Sequence, residues 1–284
     1  MPSLLPATVP RIKLPPLSCD CHMHVYGDPA EYPPSAGSPF KPVPGGHIEN
    51  YLELRRILGL ERAVVVQPSA YGTDNRCTLE AVARLGDKAR AVVVVDDTVS
   101  NAELEGLTGK GARGLRFFML PGGALGWEAL PRLAARVAEF GWHIQLQMDG
   151  RFLHEREKEL ARLPCQLVID HNGKFLEPSS TDHAGFKALC RLLEGGETWV
   201  KTSGVYETSL EGPPHYSDVA VLAQTLIGRF PERCVWATNW PHPSKPNDPP
   251  DDSRLVDLFA EWCGSTTTLE RVLVANPAAL YGFN

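Results

Sequence analysis

The sequence has no apolar run near the roughly 18 residues that suggest a membrane span, which removes a spanning role. It also has no internal repeat, no low-complexity tract and no pair of cysteines in a CxxC spacing. Its seven cysteines are therefore neither a disulfide framework nor a zinc knuckle. Several (Cys165, Cys190, Cys234) lie inside apolar runs as reduced thiols do, which points to a cytoplasmic protein. An excess of positive charge is missing as well. A net charge of −6 and a pI near 5.9 argue against nucleic acid or an anionic membrane as partner. An anionic small molecule would then need locally placed cations. The first 18 residues, "MPSLLPATVPRIKLPPLS", lack the continuous apolar core of a secretory signal and are rich in proline, so an extended arm is expected there.

Alternation is what the rest of the chain offers. Short β-branched or apolar runs fall at residues 19–26, 63–67, 91–95, 114–118, 143–147, 166–170, 198–203 and 234–238. Helical patterns lie between them, such as "IENYLELRRILGL", "WEALPRLAARVAEFG" and "DVAVLAQTLIGRF", with apolar residues three and four apart. Eight βα units in 284 residues predict an α/β fold, a single (β/α)8 TIM barrel over residues 19–284 following the arm at 1–18. Proline-rich stretches at 29–45 and 241–251 follow the first and eighth strands, where long functional loops belong. A monomer or small homo-oligomer is expected.

In such a barrel the side chains at the C-terminal strand ends converge on one cavity. Strand one ends in His22-Met23-His24, whose period-two spacing puts both imidazoles on one face. Strand two supplies Gln67, Ser69 and Tyr71, strand four Arg116, and strand five Gln147 and Asp149. Strand six supplies His171, strand seven Lys201, Ser203 and then Tyr206, and strand eight Asn239 with His242. A lone HxH is as often structural as functional, but a histidine after strand six and a Trp-Pro-His turn after strand eight add weight to a functional site. Arg116 and Lys201 are the expected anion-binding cations. His47, His143, His154, His183 and His215 fall elsewhere and are read as structural, and "GK" in "LTGKGARG" does not follow the P-loop pattern.

The motifs "DCHMHVYG", "VVVQPSAYGTDN", "RGLRF", "VIDHNGK" and "WATNWPHP", in order along the chain, resemble the amidohydrolase superfamily, in its branch containing 2-pyrone-4,6-dicarboxylate lactonase. "FMLPGGAL", "DHNGKF", "KTSGVYETS" and "TNWPH" resemble one family of that branch, the D-galactarolactone isomerases. That resemblance implies conversion of D-galactaro-1,5-lactone to the 1,4-lactone in aldaric acid catabolism. Metal-dependent members bind ions through the HxH pair, histidines on strands five and six and an aspartate on strand eight. Here strand five ends in Gln147 and strand eight carries Asn239, so no metal and no cofactor are expected.

Asparagine cannot accept a proton from water as an aspartate does. It is expected to donate a hydrogen bond to an oxyanion, with His24 and His171 polarising the carbonyl. The lactone's own C4 hydroxyl would attack C1, with a histidine, Tyr206 or the substrate itself carrying the proton. His22, Ser69, Tyr71, Arg116, Gln147, Lys201 and His242 are expected to bind substrate. A metal-independent lactonase and a barrel that binds lactones without turnover are the alternatives.

Overall fold

The structure, a computed structural model, describes residues 3–36 and 38–284. Eight parallel strands form one sheet in chain order: β1 (Cys19–Met23), β2 (Arg62–Val66), β3 (Ala89–Val93), β4 (Ala112–Phe118), β5 (His143–Gln147), β6 (Leu167–Ile169), β7 (Thr198–Lys201) and β8 (Cys234–Val235). Backbone bonds join the first strand to the chain running on from the last, from Cys21 N to Trp236 O at 3.0 Å and from Asn239 N to His22 O at 2.9 Å. The sheet thus curls into a (β/α)8 barrel.

The strands are "RAVVV" or "ARAVV" in type and buried on both faces, as parallel strands covered by helices must be. Helices α1 (Ile48–Leu58), α2 (Arg76–Leu85), α3 (Asn101–Gly109), α4 (Leu130–Ala138), α5 (Leu153–Leu160), α6 (Ala184–Glu194), α7 (Ser217–Arg229) and α8 (Asp252–Cys263) follow the strands in turn. The amphipathic ones bury one apolar stripe; in α4 it is Leu130, Leu133, Ala134 and Val137. Ser100 and Glu103 close a capping box at the start of α3, and Gly59 ends α1 in the left-handed conformation.

Inside the barrel, Cys21, Val64, Val92, Val168, Trp199 and Val235 form an apolar floor. A final helix (Asn276–Tyr281) closes the end where the strands begin: Tyr281 is fully buried in that floor, and Arg62 and Arg90 hold the carbonyls of Asn284 and Gly282 at 2.6 and 2.7 Å. That plug leaves the opposite end, where the strands finish, as the open mouth.

A register shift in β1 between Asp20 and Met23 changes which side chains face inward. Cys21 joins the apolar floor, and the next residue, His22, also meets interior groups. Asp20 meanwhile turns to the seam between the first and last strands. It is fully buried and accepts from His22 N (3.2 Å), Thr238 N (3.0 Å), Thr238 Oγ1 (2.6 Å) and Tyr51 Oη (3.2 Å). Burial raises its pKa to about 6 against the pull of these donors.

Residues 3–14 have no regular structure and lie across the loop after β8 and across α8. Trp240 Nε1 donates to Leu4 O at 3.2 Å, Ser253 Oγ to Thr8 O at 2.6 Å, and Arg11 Nε to Asp257 Oδ2 at 3.0 Å. The arm therefore packs on its own chain, over the segment that carries Asn239.

Because Asp20 accepts four donors, Asp20→Asn turns an amide N–H against one of them and should cost about 1–3 kcal/mol in urea unfolding at pH 7. An unchanged midpoint would mean that the seam is held by the backbone bonds alone.

Candidate active site

A cavity of about 650 Å³ opens at the C-terminal ends of the strands. His24, Ser69, Arg116, Gln147, His171 and Asn239 line it, together with Lys174 and Glu207. The proline-rich loops that follow β1 and β8 supply its walls, including Phe40, Pro44, Pro243 and Pro246. Five of the seven described non-glycine residues with positive φ are His171, Asn172, Lys174, Asn239 and His242, so the backbone turns sharply where β6 and β8 deliver their side chains.

Beneath the cavity lies a buried ionic cluster. The ammonium of Lys201, with no exposed surface, lies 2.6 Å from Gln145 Oε1, 3.1 Å from His22 Nδ1 and 3.3 Å from Asp170 Oδ1. The last contact is within ion-pairing reach but lacks hydrogen-bond alignment. Burial works to raise the Asp170 pKa, yet the Lys201 charge holds it well below the ordinary value.

This cluster fixes two tautomers. His24 Nδ1 lies 2.7 Å from the carbonyl of Val66, which only accepts, so Nδ1 carries the proton. Burial, followed by the charge of Arg116, lowers the His24 pKa to about 3; the ring is neutral and its Nε2 is bare. His22 Nε2, 3.2 Å away, must therefore donate to it, which leaves His22 Nδ1 to accept from Lys201. Burial and Lys201 likewise lower the His22 pKa far below its usual value.

A second cluster lies in the cavity itself. His171 Nδ1 is 3.0 Å from Ser203 Oγ, and its Nε2 is 3.8 Å from Glu207 Oε2. Glu207 Oε2 accepts from Lys174 Nζ at 2.5 Å. Burial lowers the His171 pKa to about 4; it would raise that of Glu207, but the Lys174 charge brings Glu207 down to about 2. Gly204 permits this packing: its φ is +68°, and a Cβ there would sit 2.8 Å from His171 Nδ1.

Arg116 is a further cation of the cavity, whose wall also includes Lys41. Its Nη1 donates to Gln67 O at 2.8 Å and Nη2 to Gln147 Oε1 at 3.1 Å, while Nε has no partner among the described residues.

The fold thus brings His24, Ser69, Arg116, Gln147, His171 and Asn239 to one cavity, and places the other expected site residues behind its wall. Lys201 and His22, expected to bind substrate, are sealed in the floor cluster with no exposure. Tyr71 turns its hydroxyl to Gly27 N at 3.1 Å. Tyr206 and His242 stand behind Asn239. Burial raises the Tyr206 pKa well above its ordinary value, so it stays protonated and is no proton acceptor. Both His24 nitrogens are engaged, so it cannot polarise a carbonyl as expected. Asn239 directs its amide nitrogen to Tyr206 at 2.9 Å rather than to an oxyanion.

Lys174, rather than Lys201, brings its ammonium to the cavity, paired there with Glu207. It lies three residues after His171 in "DHNGK", and Glu207 follows Tyr206 directly, so both stood beside residues already singled out. Gln145 was signalled by period two from Gln147, and Asp170 by its place at the end of a buried strand.

The amidohydrolase family profile matches residues 19–283. The chain belongs to the amidohydrolase family. It is 37% identical over 281 residues to D-galactarolactone isomerase of Agrobacterium fabrum, covering 98% of this chain and 95% of that one. A 2-pyrone-4,6-dicarboxylate hydrolase of Comamonas testosteroni is 33% identical, with 96% and 92% covered. A solved apo structure from Agrobacterium tumefaciens superposes with a TM-score of 0.93 at 36% identity, covering 100% of this chain and 99% of the other. The chain is thus an enzyme of the lactone-processing branch of this family.

Four buried rings, His22, His24, His143 and His171, have pKa values lowered by burial, so they are neutral in the fold and gain protons on unfolding below pH 6.5. Asp20, raised to about 6, works the other way but is one group against four. Stability should therefore fall between pH 7 and pH 5, as read by urea midpoints. Equal or greater stability at pH 5 would mean that some of these rings are charged in the folded protein.

Proposed function

We propose that the protein is a metal-independent isomerase that converts D-galactaro-1,5-lactone to the 1,4-lactone, as the name of its 37%-identical relative suggests. The observation that carries this is the cavity's end of β8, where the side chain that would activate water is the amide of Asn239. An amide is not a general base, so attack by water has no assistance from that position.

The substrate's C4 hydroxyl needs less. Held against C1 in the same molecule, it has a large effective concentration. The C1–O4 bond forms, the C1–O5 bond breaks, and the proton leaving O4 ends on O5; water is neither consumed nor released. His171, held neutral by burial, lines the cavity between Ser203 Oγ (3.0 Å from Nδ1) and Glu207 Oε2 (3.8 Å from Nε2) and is the group best placed to carry that proton. Arg116 and Lys174, both lining the cavity, supply positive charge to the substrate carboxylate and to the developing oxyanion. This local charge lets a protein of net charge −6 hold an anion.

Amidohydrolases often use a divalent metal, and His22, Asp170 and His171 do place ligand atoms within 4.8 Å of one another. The same cluster already contains the Lys201 ammonium, 3.1 Å from His22 Nδ1 and 3.3 Å from Asp170 Oδ1. A divalent ion there would face that buried charge at contact distance, so these residues do not fit a metal. Cytoplasmic location and a role in aldaric acid breakdown accord with this reading; no described helix is long and apolar enough to cross a membrane.

Proton NMR of fresh 1,5-lactone should show the 1,4-lactone appearing before open galactarate, at a rate unchanged within about twofold after exhaustive chelation. Direct release of galactarate would instead make the protein a lactonase, and a rate restored only by added zinc would overturn metal independence. His171→Ala should lower kcat by about 10²-fold or more, whereas a proton carried by the substrate alone would leave it nearly unchanged.

A further inference from the structure

We propose that Asp252, His242 and Tyr206 form a hydrogen-bonded chain of fixed polarity that locks the Asn239 amide, so that it meets the substrate as an acceptor rather than a donor. The chain starts at Asp252, the first residue of α8, where the helix N-terminus favours a negative carboxylate. Its Oδ2 lies 3.1 Å from His242 Nε2, and a carboxylate only accepts, so Nε2 carries a proton. With one proton on the ring, Nδ1 is bare and accepts from the Tyr206 hydroxyl at 2.9 Å. The phenolic proton is then committed, and the Tyr206 oxygen accepts from Asn239 Nδ2 at 2.9 Å. All four residues are at most 6% exposed, so bulk water does not break the sequence.

What remains of the amide is Oδ1, which makes no hydrogen bond with the described residues, on a side chain that lines the cavity. A second proton on His242 would reverse the last two bonds and turn the amide nitrogen into the cavity instead. The proton on Nδ1 is therefore the observable that separates the two arrangements. An amide oxygen can hold a sugar hydroxyl by its hydrogen, aligning the oxygen for attack, yet is too weak a base to ionise water. His242 and Tyr206 are positioning residues in this scheme, acting through Asn239. The hydroxyl as ligand rests on the function proposed above, whereas the amide's orientation does not.

The test is ¹⁵N NMR of the histidine rings in the full chain without substrate, with His242 assigned from a His242→Gln variant. The expected ring has a protonated Nε2 and a bare Nδ1. Asn239→Asp, tolerated because aspartate also adopts the left-handed backbone found there (φ +59°), forces the Tyr206 proton toward the new carboxylate and so places a proton on His242 Nδ1. A protonated Nδ1 in the unaltered protein, or a ring that Asn239→Asp leaves unchanged, would overturn the proposal. Activity gives a second arm. Glutamine can accept from Tyr206 and donate to Asp252, so His242→Gln should retain most of the isomerisation kcat that His242→Leu loses, about tenfold, with KM within about threefold. Equal loss in both folded variants would contradict the positioning role. An unaltered protein that shows the expected ring but no isomerisation would support the orientation and refute the substrate.

Discussion

The buried ammonium of Lys201 organises this barrel. It sits where the inward side chains of β1, β5, β6 and β7 meet, held by His22, Gln145 and Asp170 with no access to solvent. A charge there is stable only because the carboxylate and the two neutral acceptors replace the water it has lost. It also sets the polarity of everything above it: Lys201 donates to His22, His22 to His24, and His24 to the carbonyl of Val66. The floor of the cavity is thus a row of committed hydrogen bonds, and an apolar layer of valines and Trp199 seals it from below.

Above that floor the reactive groups are few. His171 and Glu207 with Lys174 form one side, Arg116 another, and Asn239 the third. The site combines positive charge, a neutral imidazole and a neutral amide, a set suited to moving an acyl group between two hydroxyls of one molecule. Buried hydrogen-bond chains on two sides, from Lys201 and from Asp252, leave those groups little freedom to rearrange.

Much of this was legible in the sequence, because strand runs and their terminal polar residues follow from period two and from the barrel rule. All eight predicted runs overlap observed strands, and His24, Ser69, Arg116, Gln147, His171 and Asn239 reach the cavity. Depth was not legible. Period two places Lys201 and His22 inside the barrel but cannot say that Lys201 stops one layer short of the cavity, where Asp170 captures it. Nor does a sequence reveal the shift in β1 that turns consecutive residues, Cys21 and His22, inward. The direction of the Asn239 amide depends on Asp252, thirteen residues later at the start of a helix, and only the folded chain brings them into one hydrogen-bonded line.

Intramolecular acyl transfer has a signature that no hydrolase reproduces. If the 1,5-lactone is turned over in ¹⁸O-labelled water, the newly formed 1,4-lactone should carry no label, because no water oxygen enters during exchange of O5 for O4 at C1. Label in the first 1,4-lactone formed, or in galactarate formed ahead of it, would show that water is the nucleophile and that the amide at position 239 does not exclude it.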